Sequence, residues 1–219
     1  MFNKAQVLAS DFLVINTINY AVPSSLEHRL FDSEREQLLL KRSVKSKLTF
    51  LRSRALIKQY VGLCFDCANE DVEVVFNHQE QCLHALYDSK LVCRVSLSHS
   101  GSAIAIALQL SEKPFIFGID IENKTKKRDF ESLAKTCLSV KEQENLRLNL
   151  NDSVAFYRQW TLKEALMKAT GQPLSTLFSI DSDKILLAQS LTSISFDLHE
   201  YVGTFVCTKQ ASYKFIEIN

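Results

Sequence analysis

The chain has 219 residues, 46% of them hydrophobic, enough for a sizeable core in one domain or two small halves. A net charge of +1 points to no particular partner, so nothing argues for a protein that works by bulk charge. No apolar run is long enough to span a bilayer, and the opening MFNKAQVLASDF lacks the charged-then-apolar order of an export signal, so membrane and secreted classes are not expected. The six cysteines, Cys64, Cys67, Cys82, Cys93, Cys137 and Cys207, are scattered and read as reduced thiols of a cytoplasmic protein.

In chain order, the apolar stretch Val7 to Ile18 predicts a strand. Ser33 with Glu36 has capping-box spacing and opens a helical region. Leu40, Val44, Leu48, Leu51 and Ala55 recur at three- and four-residue steps, so the region continues as one long helix or two, with Gly62 as the stop. Lys41, Arg42, Lys45, Lys47, Arg52, Arg54 and Lys58 fall largely off that stripe, which predicts that they face solvent or a ligand. No nucleic-acid signature accompanies them, and a solvated helix face or a small phosphorylated ligand fits as well. Cys64 and Cys67 followed by His78 and His84 imitate a zinc finger, but the linker and the spacing between the histidines fit poorly.

Asp71 to Asn77, Val92 to Ser98, Ala103 to Leu110 and Phe115 to Ile121 predict strands. His99 follows the second of these, where it and the neighbouring serines are placed to meet a phosphate. A serine hydrolase using Ser98 or Ser100 with His99 is disfavoured, because no GxSxG elbow is present. Ser111 to Pro114 predicts a junction between an N-terminal half, residues 1–110, and a C-terminal half, residues 111–219. Asp129–Cys137, Ser139–Leu148 and Asp152–Thr170 predict helices, the last ended by Gly171 and Pro173. Ile185–Ala188, Ser193–Leu198, Tyr201–Cys207 and Tyr213–Ile218 alternate like antiparallel strands. The whole predicts an α+β protein of two halves, each with strands and a long helix.

Two segments carry chemistry. In Phe117 to Asn123, strand alternation puts Asp120 and Glu122 on one side and Ile119 and Ile121 on the other. Two adjacent carboxylates repel unless a cation compensates, and oxygen ligands suit magnesium, which shares its shell with substrate phosphates. A solvated strand end is the plain alternative. In Trp160 to Lys168, Glu164 and Lys168 lie one helical turn apart, as in a surface ion pair or as part of the same site. Glu142, three residues after Ser139, has capping-box spacing and is also a candidate base. With five glycines, no GxGxxG and no P-loop, a nucleotide would be held by side chains.

In order, Ser98-His99-Ser100, Gly118-Ile119-Asp120-Ile121-Glu122 and Trp160-Thr161-Leu162-Lys163-Glu164-Ala165-Leu166-Met167-Lys168, with Arg54 upstream, resemble the 4′-phosphopantetheinyl transferases. The likeness is to the larger, monomeric type, whose type member activates surfactin synthetase. The resemblance implies two similar α+β halves related by pseudo-twofold symmetry, with coenzyme A in the cleft between them. It implies transfer of phosphopantetheine from coenzyme A to a serine of an apo acyl- or peptidyl-carrier protein, with release of 3′,5′-ADP. It implies magnesium on Asp120, Glu122 and Glu164, and coenzyme A contacts from Lys41, Arg54, Ser98, His99, Asp120, Lys163 and Lys168. Glu142, Glu164 or Lys168 would help deprotonate the carrier serine. Nucleic acid and membrane are not expected partners. One departure stands out: Asn77 to Cys82 lacks the Gly-Lys-Pro segment that meets the adenine end of coenzyme A in the family. The alternative is a binding module of the same fold, for coenzyme A, a carrier protein or nucleic acid, that performs no chemistry.

Overall fold

The computed structural model describes residues 4–147 and 153–218. It is a mixed α+β structure with two sheets, grouped into two compact units. Leu148 and Asp152, expected to end one helix and begin the next, lie outside the described residues.

The first unit comprises Met1–Leu97, Ser102–Glu112 and Ser212–Asn219. It opens with a short helix, Lys4–Leu8 (α1), and a strand, Phe12–Ile18 (β1). The expected strand from Val7 therefore starts five residues late, because Val7 instead anchors α1 in the core. Helices Asp32–Leu39 (α2) and Val44–Phe65 (α3) follow. The cap of α2 is not the expected Ser33–Glu36 pair: the Phe31 N–H donates to the Glu34 carboxylate at 3.0 Å. Ser43 caps α3, accepting from the Ser46 N–H at 3.0 Å, which splits the helical region in two.

The expected apolar stripe holds only in its second half, where Leu51 and Ala55 are buried. Leu40, Val44 and Leu48 are exposed, while Leu56, Ile57, Tyr60, Val61 and Cys64 fill the core against Leu13, Ile15, Val72, Ile104 and Ile106. Gly62 does not stop α3, which runs three residues further to a left-handed Asp66. Its role is close approach: a Cβ there would meet Asn69 Oδ1 at 2.3 Å and the Cys67 carbonyl at 2.8 Å.

Strands Val72–Asn77 (β2), Cys82–Tyr87 (β3), Lys90–Ser100 (β4) and Ala103–Gln109 (β5) build the sheet, in the order β2-β3-β4-β5-β1 and then the last strand of the chain. That last strand, later labelled β9, runs Tyr213–Ile218 and pairs parallel to β1. It was expected in an antiparallel tail. The cause is local: Asp11 Oδ2 accepts from the Ser212 N–H at 2.9 Å and its hydroxyl at 2.8 Å, fixing the start of the strand beside β1.

The second unit comprises Ser98–Gly101 and Lys113–Ala211. Strand Phe117–Asn123 (β6) is followed by helices Phe130–Cys137 (α4), Val140–Arg147 (α5), Ser153–Thr170 (α6), Leu174–Phe178 (α7) and Ser182–Ala188 (α8). Strands Leu191–Leu198 (β7) and Tyr201–Thr208 (β8) precede β9. The expected strand at Ile185–Ala188 is the end of α8, whose N-cap Asp181 accepts from the Asp183 N–H at 3.0 Å. The three-stranded sheet has the order β6-β8-β7, antiparallel throughout. Helix α6 crosses β6 and β8, and the hydroxyls of Thr161 and Thr204 bond across that contact at 2.9 Å. Among the described residues no helix is long and apolar enough to cross a membrane.

Candidate active site

The site assembles on β6. Alternation puts Asp120 and Glu122 on one side of the strand, and each carboxylate meets a serine spaced in the same way. Ser98 Oγ donates to Asp120 Oδ1 at 2.7 Å and accepts from the Ile121 N–H at 3.3 Å. Ser100 Oγ donates to Glu122 Oε2 at 2.7 Å and accepts from the Asn123 N–H at 3.2 Å. The two serines thus act as a repeated latch, each tying a carboxylate to the backbone of the next residue.

Helix α6 brings the other half of the site. It packs so tightly that a Cβ on Gly118 would lie 2.2 Å from the Ala165 carbonyl and 2.6 Å from the Ala169 nitrogen. That contact lets Lys168 Nζ donate to the Ile119 carbonyl at 3.1 Å and to Asp120 Oδ1 at 2.8 Å. Gly118→Ala is therefore expected to push α6 off β6 and cost about 2 kcal/mol or more. Urea unfolding measures this, and a loss below about 0.5 kcal/mol would mean that the helix has room to shift.

Asp120 is only 2% exposed, so it is not the solvated strand end of the plain reading. Burial pushes its carboxyl up, Lys168 and Ser98 pull it down, and Glu122 adds to the rise; the net direction is upward. Its second oxygen, Oδ2, is buried with no hydrogen-bond donor among the described residues. Glu164, on α6, faces the same carboxylate. Burial first, then the Asp120 charge, raise Glu164 from 4.5 to about 7, against the pull of Lys168. Two carboxyls this close share a proton or need a cation.

The folded protein therefore keeps a proton on Glu164 that the unfolded chain has released above 4.5. That contribution to stability is full below 4.5 and is lost as the pH rises through about 7. Glu164→Gln is expected to flatten this slope in urea unfolding of the metal-free protein. An unchanged slope would place the proton elsewhere.

A divalent cation suits this donor set, since it would supply the charge that Asp120 Oδ2 lacks. Glu122 is turned toward Ser100 and Lys126, whose Nζ lies 3.2 Å from Glu122 Oε2. Asp120, Glu122 and Glu164 accordingly do not bring one oxygen each within 4.8 Å of one another. Magnesium usually takes one or two protein carboxylates and leaves the rest of its shell to water and phosphate, so an open set is compatible with it.

Residues 116–214, which hold all of these groups except the two serines, match the family profile of the 4′-phosphopantetheinyl transferase superfamily.

The chain is 38% identical over 133 residues to the 4′-phosphopantetheinyl transferase HetI of Nostoc sp. (strain PCC 7120), covering 58% of this chain and 52% of that protein. It is 36% identical over 89 residues to the 4′-phosphopantetheinyl transferase AcpT of Salmonella typhimurium, covering 40% of this chain and 45% of that one. The chain thus spans about half the length of the curated relatives it matches.

Within the matched region, Glu142 and Lys163 form a cluster of their own. Lys163 is fully buried, and its Nζ reaches Glu142 Oε2 at 2.9 Å and the Leu177 and Ile180 carbonyls at 2.8 Å each. Glu142 caps α5 as its spacing predicted, accepting from the Ser139 N–H at 2.7 Å. It also accepts from the Ser182 N–H and hydroxyl and from Gln159. Burial opposes ionisation there, but the bonds from Ser182, Lys163 and Ser139 outweigh it and hold the carboxyl below its usual range. Trp160 packs between Phe156 and Phe178, with ring centroids at 6.4 and 6.3 Å.

Arg54, Lys41 and His99 lie outside the matched region. His99 is exposed on β4. Arg54 was expected to face solvent or a ligand, yet it is 6% exposed, with its guanidinium 4.3 Å from the Phe50 ring centroid and 3.8 Å from Glu34. Burial lowers its pKa to about 10, against the pull of Glu34. Lys58 is buried too and pairs with Glu34 at 2.8 Å. Lys41 Nζ sits 5.7 Å from the same Phe50 ring. Sequence reasoning missed the latching role of Ser98 and Ser100, although their two-residue spacing matches that of Asp120 and Glu122. Lys126, four residues after Glu122, pairs with that carboxylate.

Proposed function

We propose that this protein transfers the 4′-phosphopantetheine group from coenzyme A to a serine of an apo acyl- or peptidyl-carrier protein, releasing 3′,5′-ADP. The observation that carries the reading is Asp120: a buried carboxylate, latched by Ser98, paired with Lys168, and left with one oxygen unsatisfied beside Glu164. Asp120 and Glu164, with Glu122, would hold magnesium. When bound, the ion supplies positive charge to the pyrophosphate and to the oxygen leaving with ADP.

The carrier serine Oγ forms a bond to the phosphorus next to pantetheine, the bond from that phosphorus to the ADP oxygen breaks, and the serine proton passes to a base. Of the three candidates, Glu142, Glu164 and Lys168, Glu164 is assigned that task through whichever carboxylate oxygen the cation leaves open. Glu142 is a weak base with all its lone pairs engaged, and Lys168 serves better by holding Asp120 and meeting the pyrophosphate. Lys163 then acts as a positioning residue rather than a contact to coenzyme A. Lys41 and Arg54, both beside the Phe50 ring, are assigned to the 3′-phosphate, and His99 is proposed as a further coenzyme A contact. The protein is proposed to act in the cytoplasm, a setting that its six scattered cysteines suit as reduced thiols. The protein is proposed to act as a monomer.

Calorimetric titration with coenzyme A tests the assignment. Binding should strengthen with magnesium in the wild type and lose that dependence in Asp120→Asn. Coenzyme A binding indifferent to magnesium in both proteins would contradict it.

A further inference from the structure

A second constellation lies in the first unit, on the hairpin of β2 and β3. Asn77 Oδ1 accepts from the Gln79 and Glu80 N–H groups at 2.8 and 3.0 Å, and Gln81 adopts a left-handed φ of 53°. This turn folds Glu80 back over the start of β3. There Cys82 and His84 share one face, two residues apart. Glu80, Cys82 and His84 bring one ligand atom each within 4.8 Å of one another. His84 is 9% exposed, and its Nε2 is buried with no hydrogen-bond partner, 3.4 Å from Glu80 Oε2. Cys82 Sγ lies 4.0 Å from the same oxygen.

We propose that Glu80, Cys82 and His84 form a binding site for a borderline-soft transition metal, with zinc the best match. The donor set of one thiolate, one imidazole and one carboxylate selects zinc over magnesium or calcium, which take oxygen alone. Tetrahedral zinc with ordinary bond lengths separates its nitrogen and oxygen ligands by about 3.3 Å and its sulfur and oxygen ligands by about 3.6 Å. The corner meets the first value and misses the second by a few tenths of an ångström, within reach of a side-chain rotation. A water completes the shell, because Glu80 is exposed and the corner is open to solvent.

Two groups oppose the ion. The thiol proton must leave to solvent as the metal binds. Arg94, directly across from His84 in the sheet, lies 3.3 Å from Glu80 Oε2. Its guanidinium is anchored independently, however, with Nε and Nη2 donating to Gln109 Oε1 at 3.0 and 2.6 Å. It can release Glu80 without losing its place.

The Asp120 carboxylates include no sulfur, so thiolate chemistry tells the two sites apart. The reduced protein, held in excess magnesium, is titrated with cobalt(II) and followed by its thiolate-to-cobalt absorption band, with zinc added afterwards as competitor. The expected result is a band saturating near one equivalent and bleached by zinc. It should weaken by about tenfold or more in affinity in E80Q, C82S and H84Q, and stay unchanged in C67S. E80Q keeps the side chain's shape at an exposed turn position, so it disturbs the fold least of the three. No band, or a band that survives C82S, would overturn the proposal. So would loss in C82S alone with E80Q and H84Q unaffected, since that is binding by a lone thiol.

Discussion

Asp120→Asn is expected to slow phosphopantetheine transfer by about 100-fold or more and to leave the melting temperature unchanged or raised. The two halves of this expectation share one cause. Keeping a carboxylate at 2% exposure beside Glu164 and Glu122 is unfavourable for the metal-free fold, as the upward pressure on its pKa indicates. Asparagine keeps the oxygen that accepts from Ser98 and Lys168, so the latch and the lysine contact survive. What is lost is the negative charge that holds a cation. Transfer at a rate close to wild type would remove Asp120 from the cation site, whatever the stability.

The second large effect is on stability. Lys163→Met is expected to cost about 3–5 kcal/mol, because it leaves Glu142 as a buried charge without its counter-ion. It also strips the donor from the Leu177 and Ile180 carbonyls, which it ties to α6. The double variant Lys163→Met with Glu142→Gln should recover part of the loss, since the charge that needed compensation has gone. Urea unfolding of the four proteins measures the coupling. A loss under about 1 kcal/mol, together with weaker coenzyme A binding, would restore the resemblance-based assignment of Lys163 as a contact to coenzyme A.

Both predictions rest on residues that local pattern found and long-range packing explained. The strand at Phe117 to Asn123 and the helix ending at Thr170 were legible because their periodicities are unambiguous, and with them came the side on which Asp120, Glu122, Glu164 and Lys168 lie. The spacing of Ser139 and Glu142 likewise announced a cap. It gave no hint that Lys163 would be buried against the same carboxylate, because that contact joins two helices far apart in sequence. Burial of Arg54 and Lys58 was invisible for the same reason. A basic run reads as solvated until a buried Glu34, supplied by α2, is known to face it.

Errors in the elements have causes both near and far in the chain. Ile185 to Ala188 is a short apolar run, which fits a strand or a buried helical turn, and the N-cap Asp181 decides for the helix. Strand β3 went unseen because Cys82-Leu83-His84-Ala85-Leu86-Tyr87 has none of the β-branched residues that mark strands. Missing that strand also hid the alignment of Cys82 with His84. The final strand was recognised as a strand, but its partner was set by Asp11, two hundred residues away in the chain.

Intact-mass spectrometry of an apo carrier protein incubated with this protein, coenzyme A and magnesium tests the proposed activity most directly. The carrier should gain the mass of one phosphopantetheine group, and a chelator or the Asp120→Asn substitution should abolish the gain. No gain on several unrelated apo carriers, from a protein that binds coenzyme A in a magnesium-dependent way, would contradict transfer and leave a binding module in its place.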